Sequence, residues 1–520
     1  MFQELKVFNG GINNLAAPHL IQPNEGIYIT NAVIQSGDIV SAKEKKATGD
    51  TLLGSSVHYY KSQDQIISST EDRFYVEWAG LLYWSNAAGV VKRYDGTNVL
   101  DIGNHSAPAS APSLAGAAGG ILNGDYTYAI TYTHDDIFES PPSSFVTITA
   151  ANQKVTVTFA DTPPATATHR NIYRSGGLNP TFNLVAKIPI ATVSYVDNIH
   201  DFDVSRSELT TYNSDPAPSN LDMLIEVQGT FFGSVGNKVY FSKEGQPEYW
   251  SAYNFVTLPK EIKGLGVIGI GVVAFTDDEM YMITGSNINN ISMTKLPFNY
   301  GCKNKRTVKN IDGRLIWVSS LDSKDAICVF DGTSVTIVNK LDKFINAATV
   351  GSLSYDNFGE DTYDSYSFII RSAIVSSHKY YLFMDGRTAI VDFESGMKIY
   401  YMGESVDAAY SKDNNLFVAK DNTVFEYLPS FGTYRNILYR TGDIDNGSAT
   451  KSKNYRYIKV NATGTYKIHV FVDGQNIMQI ENEKDFLPSG IYGKMISFLI
   501  ESNGYATIKS ISYEYTHMKE

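Results

Sequence analysis

The residues of this 520-residue chain whose types could do chemistry fall in a few short clusters. Asp277-Asp278-Glu279 and the run from Glu360 to Asp364 bring carboxylates close together, as a hard cation such as calcium requires. Neither has the D-x-[DN]-x-[DN]-G loop that orders such ligands, so both are expected to be solvated turns. His200-Asp201, next to Asp203, has a ligand-like composition. The nine histidines never take a two-ligand helical spacing such as H-E-x-x-H, however, so a polar turn is the expectation. GLGVIG, from Gly264 to Gly269, matches the G-x-G-x-x-G spacing of a phosphate-cradling loop. Such a loop must open a helix, and the β-branched IGVVAF that follows reads as a strand. No G-x-S-x-G elbow presents a serine nucleophile. The expectation is therefore no catalytic, cofactor or metal residues, and no enzyme.

Whatever these residues do, strands must position them. Six stretches of the chain are variations on one unit. The clearest is GRLIWVSSLDSKDAICVFDGTSV, from Gly313 to Val335: an apolar strand, a polar turn, a second apolar strand, then Asp331-Gly332. Its relatives begin at Gly80, Asn237, Asp278, His378 and Asn414. In each, β-branched and aromatic residues crowd two arms while Gly, Asn, Asp and Ser crowd the bends, which predicts strand-turn-strand. A lone hairpin cannot bury its apolar face, so copies spaced by roughly 35 to 40 residues point to blades stacked about an axis, a β-propeller of undetermined blade number. An irregular sandwich with repetitive hairpins is the alternative. Ser319 to Phe330 lacks the glycine and tryptophan of the turns that glycan-cleaving propellers carry, and no Gly-His precedes a Trp-Asp as in WD40 blades.

Composition agrees with strands and narrows the function. Tyr (35), Phe (26) and Gly (41) are abundant and 19% of residues are charged, favouring β-structure over helices. The net charge of -12 and pI near 5.3 oppose a surface built to grip nucleic acid, which needs clustered Lys and Arg. They suit a wall past which a polyanion slides, since like charges do not stick. The aromatics alternate with polar residues at strand spacing and do not interleave with Lys and Arg, so a stacking platform for single strands is not expected. Two cysteines, Cys302 and Cys328, exclude a disulfide framework and leave one bridge or two buried thiols open, with thiols the default. MFQELKVFNGG has no basic-then-apolar signal, and the most apolar window, Leu265 to Phe275, is too short for a membrane helix, so a protein made in a cytoplasm without a membrane segment is expected.

In order, residues 1–55 carry many turn residues and short apolar runs, and read as an extended docking segment whose strands join this chain's own sheet or a neighbour's edge. Residues 56–104 read as the first blade material. HSAPASAPSLAGAAGG, His105 to Gly120, has no side chains for a core and reads as a linker. Six or seven short strands follow at sandwich spacing, so residues 105–218 read as an inserted immunoglobulin/fibronectin III-like β-sandwich with Pro-rich flanks, closing at Asp215 to Ser219. Blades resume over 219–432, where Asn339 to Asp364 reads as a long loop, and 433–520 reads as a C-terminal antiparallel β-domain, a small sandwich. The fold class is all-β: an interrupted propeller plus that domain.

Several phrases carry a resemblance. Phe8-Asn9-Gly10-Gly11-Ile12-Asn13, Pro23 to Gly26 and Asn31 to Ile39 resemble the opening of virion structural proteins of tailed bacteriophages. Tyr126 to Tyr132, Glu139 to Ser143 and Ile172 to Ser175 resemble the sandwich inserted in phage tail nozzle proteins. Val239, Phe241, Ser242, Pro247, Glu248 and Trp250 resemble the phrase [VI]-x-[FW]-S-x-x-x-x-P-E-x-W of the same proteins. Lys453 to Ile458, Phe471 to Gly474 and Leu487 to Gly490 resemble their ends. Resemblance to the tail nozzle (tail tubular protein B-like) family of short-tailed phages implies a homohexameric ring forming the distal tail tube of the virion, made in the host bacterial cytoplasm. It implies docking on the adaptor ring below the portal, tail fibres as further neighbours, and non-specific passage of viral DNA. The second reading is a receptor- or glycan-binding tail hub or fibre-attachment protein, which requires exposed aromatics and carboxylates in one pocket.

Overall fold

Backbone pairing between strands accounts for nearly all the regular structure. A computed structural model describes the chain apart from residues 7, 9–10, 13–19, 36–37, 53, 104–106, 135–137, 212–216, 286–288, 322–323, 339–368, 395, 430–432, 482–490 and 519–520. Among the described residues there is no α-helix; 3-10 turns occur at Lys61–Gln63 and Lys305–Thr307. The all-β class read from composition is the class that forms.

Each of the six related stretches lies in a different four-stranded antiparallel run. The first run ends Leu81–Ser85, Lys92–Tyr94, Val99–Asp101, and the second spans Asp222–Val227 to Gln246–Thr257. The third spans Gly264–Ile268 to Ser292–Lys295, the fourth Lys309–Ile311 to Val335–Ile337, and the fifth Ile370–Ser376 to Lys398–Met402. The sixth joins Ala408–Lys412, Asn415–Lys420 and Thr423–Tyr427 to the distant strand Lys46–Thr51.

The repeat is chemical as well as topological. In the first run Asp95 Oδ1 accepts the N–H groups of Thr97 and Asn98, both at 2.7 Å. In the fourth, Asp331 Oδ1 accepts those of Thr333 at 2.8 Å and Ser334 at 2.7 Å. The next residues, Gly96 and Gly332, have φ of 100° and 99°, where a side chain is strained. The Asp-Gly pair is thus a fixed turn between third and fourth strands, with the N–H groups of Ser334 and Thr333 holding the Asp331 carboxyl well below its ordinary range.

The chain divides into two units, residues 1–75 with 258–284 and 292–520, and residues 76–257 with 285–291. Within the first unit, the opening strands of the third to sixth runs lie side by side in sequence order, and Ala408–Lys412 lies beside Ser56–Tyr60. GLGVIG supplies one of these strands, Gly264–Ile268. A Cβ on its Gly266 would come within 2.8 Å of both Val308 and Leu315, so close packing explains that glycine.

In the second unit, residues 113–197 form one six-stranded sheet where two packed sheets were expected. The 22-residue strand Ser113–His134 pairs first with Val146–Thr158 and then also with Ala167–Gly176, and a register shift between Ala118 and Leu122 bends it. The sheet thereby folds Leu122, Tyr128, Ile130, Val155, Val157 and Ile172 into one core. Residues 113–120 are therefore strand and not linker: small side chains cannot pack, but their backbone groups still pair.

The N-terminal residues do not extend away from the chain. Phe2–Lys6 pairs with Glu514 to Ser510, Glu25–Thr30 with Leu438–Thr441, and Val40 and Ile39 with Thr507 and Ile508. The Met1 ammonium donates to the Tyr515 carbonyl at 2.6 Å. The two long strands Lys453–Val472 and Ile496–His517 are the spine of this sheet, so the C-terminal region is a continuous sheet shared with the N-terminus, not a separate sandwich. Leu5, Phe8, Ile29 and Ile39 enter the same core as Ile458, Val470, Ile500 and Tyr513. The loop expected at Asn339 to Asp364 lies outside the described residues.

Leu5 is 1% exposed on a strand whose neighbours Glu4 and Lys6 pair in solvent. Leu5→Ala is expected to cost about 2–5 kcal/mol in urea unfolding, against less than about 0.5 kcal/mol for Lys6→Ala. Equal, small effects would mean that the first strand does not close the sheet.

Candidate functional site

The clusters singled out in the sequence are mostly occupied by partners of their own. Asp278 pairs with Lys260 at 2.6 Å and Glu279 with Lys295 at 2.5 Å, while Tyr281 donates to Glu279 at 2.6 Å. These bonds lower both carboxyl pKa values, foremost through Lys260 and Lys295. Glu360 to Asp364 lie outside the described residues. Ser319 is buried within the strand Arg314–Leu321. Cys302 and Cys328 are free, buried thiols in one apolar cluster, and burial pushes each up to about 12. No group of three His, Cys, Asp or Glu among the described residues gathers as a metal site.

Asp201 has a larger role than a polar turn. The Arg174 guanidinium, 1% exposed, donates to Asp197 Oδ2 at 2.7 Å, to Asp201 Oδ1 at 2.9 Å and to the Ile199 carbonyl at 3.1 Å. Tyr128 donates to the same Asp197 oxygen at 2.7 Å, Tyr126 to Asp201 Oδ2 at 3.2 Å, and the Leu178 N–H to Asp201 Oδ2 at 3.1 Å. Burial opposes the arginine's charge, yet Asp197 and Tyr128 raise its pKa above the ordinary value. Burial first, then Asp197, pushes the Tyr128 phenol up. One arginine thus ties the strand Ala167–Gly176 to the residues after Ser194–Asp197, with paired charges satisfying one another away from water.

Related networks recur. In the second unit Arg93, 4% exposed, meets the fully buried Glu248 at 3.2 Å, and the guanidinium lies 4.7 Å over the Phe138 ring. Burial, and then the Glu248 charge, raises the Tyr83 phenol beside it. Arg170 meets Asp161 at 3.3 Å and donates to the carbonyls of Ile190 and Thr192. In the first unit the buried Lys453 ammonium donates to the carbonyls of Ser448, Lys451 and Lys494 at 2.6, 3.1 and 2.6 Å. Burial lowers its pKa, against the pull of Asp445 and Asp473. Asp473 accepts the N–H groups of Lys494 and Met495, closing the same corner.

Arg174, Glu248, Lys453 and Asp473 all belong to the resembling phrases. So do Ser140 and Ser143, whose hydroxyls accept the buried N–H groups of Tyr132 and Ile130, and Trp250, whose indole donates to the Pro247 carbonyl. Sequence reasoning quoted these residues as phrases without assigning them partners. The available signal was a charge embedded in an apolar strand, as in Ile172-Tyr173-Arg174. These carboxylates already accept from arginines, tyrosines or backbone N–H groups, so the arrangement fixes strands and does not poise an acid or base.

No protein-family model matches the chain, and no curated protein matches it. Among solved structures, the chain is similar to BBS1N in complex with ARL6DN, at 9% identity over 76% of this chain and 98% of that one, with a TM-score of 0.30. It is also similar to Kluyvelomyces marxianus Hsv2, at 10% identity over 56% and 90% and a TM-score of 0.27. A third is apo AztD from Citrobacter koseri, at 11% identity over 61% and 91% and a TM-score of 0.25. Likeness at this level carries nothing about what the chain binds.

Arg174→Ala strands Asp197 and Asp201 without their cation and is expected to cost about 3–5 kcal/mol in denaturant unfolding. A loss below about 1 kcal/mol would contradict the network. The raised thiol pKa values keep Cys302 and Cys328 protonated through neutral pH in the fold. An aromatic disulfide reagent at pH 8 is expected to modify neither until the chain unfolds, whereas rapid native labelling would show that the thiols are open.

Proposed function

We propose that the chain is a virion structural protein forming the distal tail tube, or nozzle, of a short-tailed bacteriophage. In this reading it is a homohexameric conduit for genome ejection that docks on the adaptor ring below the portal. The observation that carries the reading is that charged residues of the resembling phrases are fixtures of the sheets: the buried Arg174, Glu248 and Lys453 and the exposed Asp473 each hold strands together. Shared features of that kind suit a subunit that serves as a wall.

The same reading takes the four-stranded runs as blades of a propeller interrupted by the inserted sheet. Side-by-side opening strands in the first unit support it, as does the strand Lys46–Thr51 completing the sixth run from the other end of the sequence. A net charge of -12 suits a lumen that releases DNA. The glycan-hub reading needs free carboxylates beside exposed aromatics. Beside Phe202, the most exposed phenylalanine among the described residues, Asp201 is spent on Arg174, Tyr126 and Leu178.

Native mass measurement of the purified chain, extended by imaging of tails with the subunit labelled, tests the proposal. Six copies of 57.5 kDa, about 345 kDa in a closed ring, is the expected species at assembling concentrations. A monomer or trimer that binds oligosaccharide would replace the nozzle with the hub.

A further inference from the structure

The corner closed around Lys453 has the make-up of a cation site. Lys453 is 0% exposed, and its ammonium lies 2.6, 3.1 and 2.6 Å from the main-chain carbonyl oxygens of Ser448, Lys451 and Lys494. Oxygens converging on one positive charge are how main-chain carbonyls replace the water shell of a monovalent ion. Burial opposes the charge at this point, and the nearby Asp445 and Asp473 favour it.

These oxygens are set in place by bonds in which the lysine side chain takes no part. On one side, Asp445 Oδ1 accepts the Gly447 N–H at 2.9 Å and the Asp445 carbonyl accepts the Ser448 N–H at 3.0 Å. Tyr513 donates to Asn446 Oδ1 at 2.7 Å, which anchors the same turn to the sheet, and the Ser448 hydroxyl accepts the Lys451 N–H at 3.4 Å. On the other side, Asp473 Oδ1 accepts the N–H groups of Lys494 and Met495 at 2.8 and 2.9 Å, while the Asp473 N–H donates to the Met495 carbonyl at 3.1 Å. The backbone of residue 453 is itself paired with Gly493 and His517. Two segments well separated in sequence thus aim their carbonyls at one point through contacts of their own, as a preformed site requires.

We propose that this corner is a binding site for a small monovalent cation, potassium or a primary ammonium, which the Lys453 side chain fills from within the chain. What the carbonyls of Ser448, Lys451 and Lys494 recognise is a compact single positive charge, and the four-carbon stem is its tether. A free cation therefore takes the position when the tether is cut back. The site is independent of the assembly proposed above.

The test is thermal unfolding of the full chain, wild type and Lys453→Ala, in the chlorides of potassium, propylammonium and choline at equal ionic strength. Lys453→Ala is expected to unfold well below the wild type in choline, whose quaternary head is bulky and has no N–H to donate. Potassium or propylammonium is expected to restore part of the lost midpoint, with a shift that grows with the logarithm of the cation concentration. The wild type, its site already filled, is expected to show no such shift. Lys453→Met, which fills the same space with an uncharged stem, is expected to be destabilised alike in all three salts. Equal midpoints of Lys453→Ala in the three salts, an equal shift in the wild type or in Lys453→Met, or failure of Lys453→Ala to fold in any of them would overturn the site. Restoration by potassium assigns the recognition to charge and size, and restoration by propylammonium alone assigns it to the ammonium N–H donors.

Discussion

Hydrogen bonding between the first and last strands is the constraint on which the first unit depends. Strands must satisfy their backbone groups, and an edge left open invites another chain. Here Phe2–Lys6 covers part of Ile496–His517, Glu25–Thr30 covers Leu438–Thr441, and Lys46–Thr51 covers Thr423–Tyr427. Pairings separated by hundreds of residues must all form before any is secure, so closure makes the ends interdependent. Apolar burial follows from this geometry, because Leu5, Ile29 and Ile39 reach the core only when their strands are in register.

Buried charges supply what apolar packing cannot. Leucine and valine tolerate sliding; a guanidinium aimed at two carboxylates does not. Arg174 with Asp197 and Asp201, Arg93 with Glu248, and Lys453 within three carbonyls each fix one arrangement of strands and loops. Such groups contribute little net stability relative to apolar residues of the same shape, but they penalise every arrangement that leaves one of them unpaired.

Much of this was legible in the sequence where local chemistry decides structure. Asp95-Gly96 and Asp331-Gly332 read as turns because the aspartate bonds to the following N–H groups and only glycine is comfortable next to it. GLGVIG read as strand because valine and isoleucine surround its glycines. What failed to show was long-range. Ser113 to Gly120 looked like a linker because small residues cannot build a core, yet pairing with Val146–Thr158 asks only for backbone. Asp201 looked like a turn because its arginine is 27 residues away. The N-terminal strands could be assigned to this chain or to a neighbour, since a strand's own residues do not name its partner. Two sheets were expected where one bent sheet forms, because strand spacing does not reveal a bulge.

Amide hydrogen exchange on the intact chain tests the closure most directly. If the ends are joined, the backbone amides of residues 2–6 and 510–514 that bond across the pair exchange slowly and together, on the timescale of the long strand Lys453–Val472. Exchange of residues 2–6 as fast as in a free peptide, with 510–514 still protected, would show an arm detached from the sheet and contradict the account.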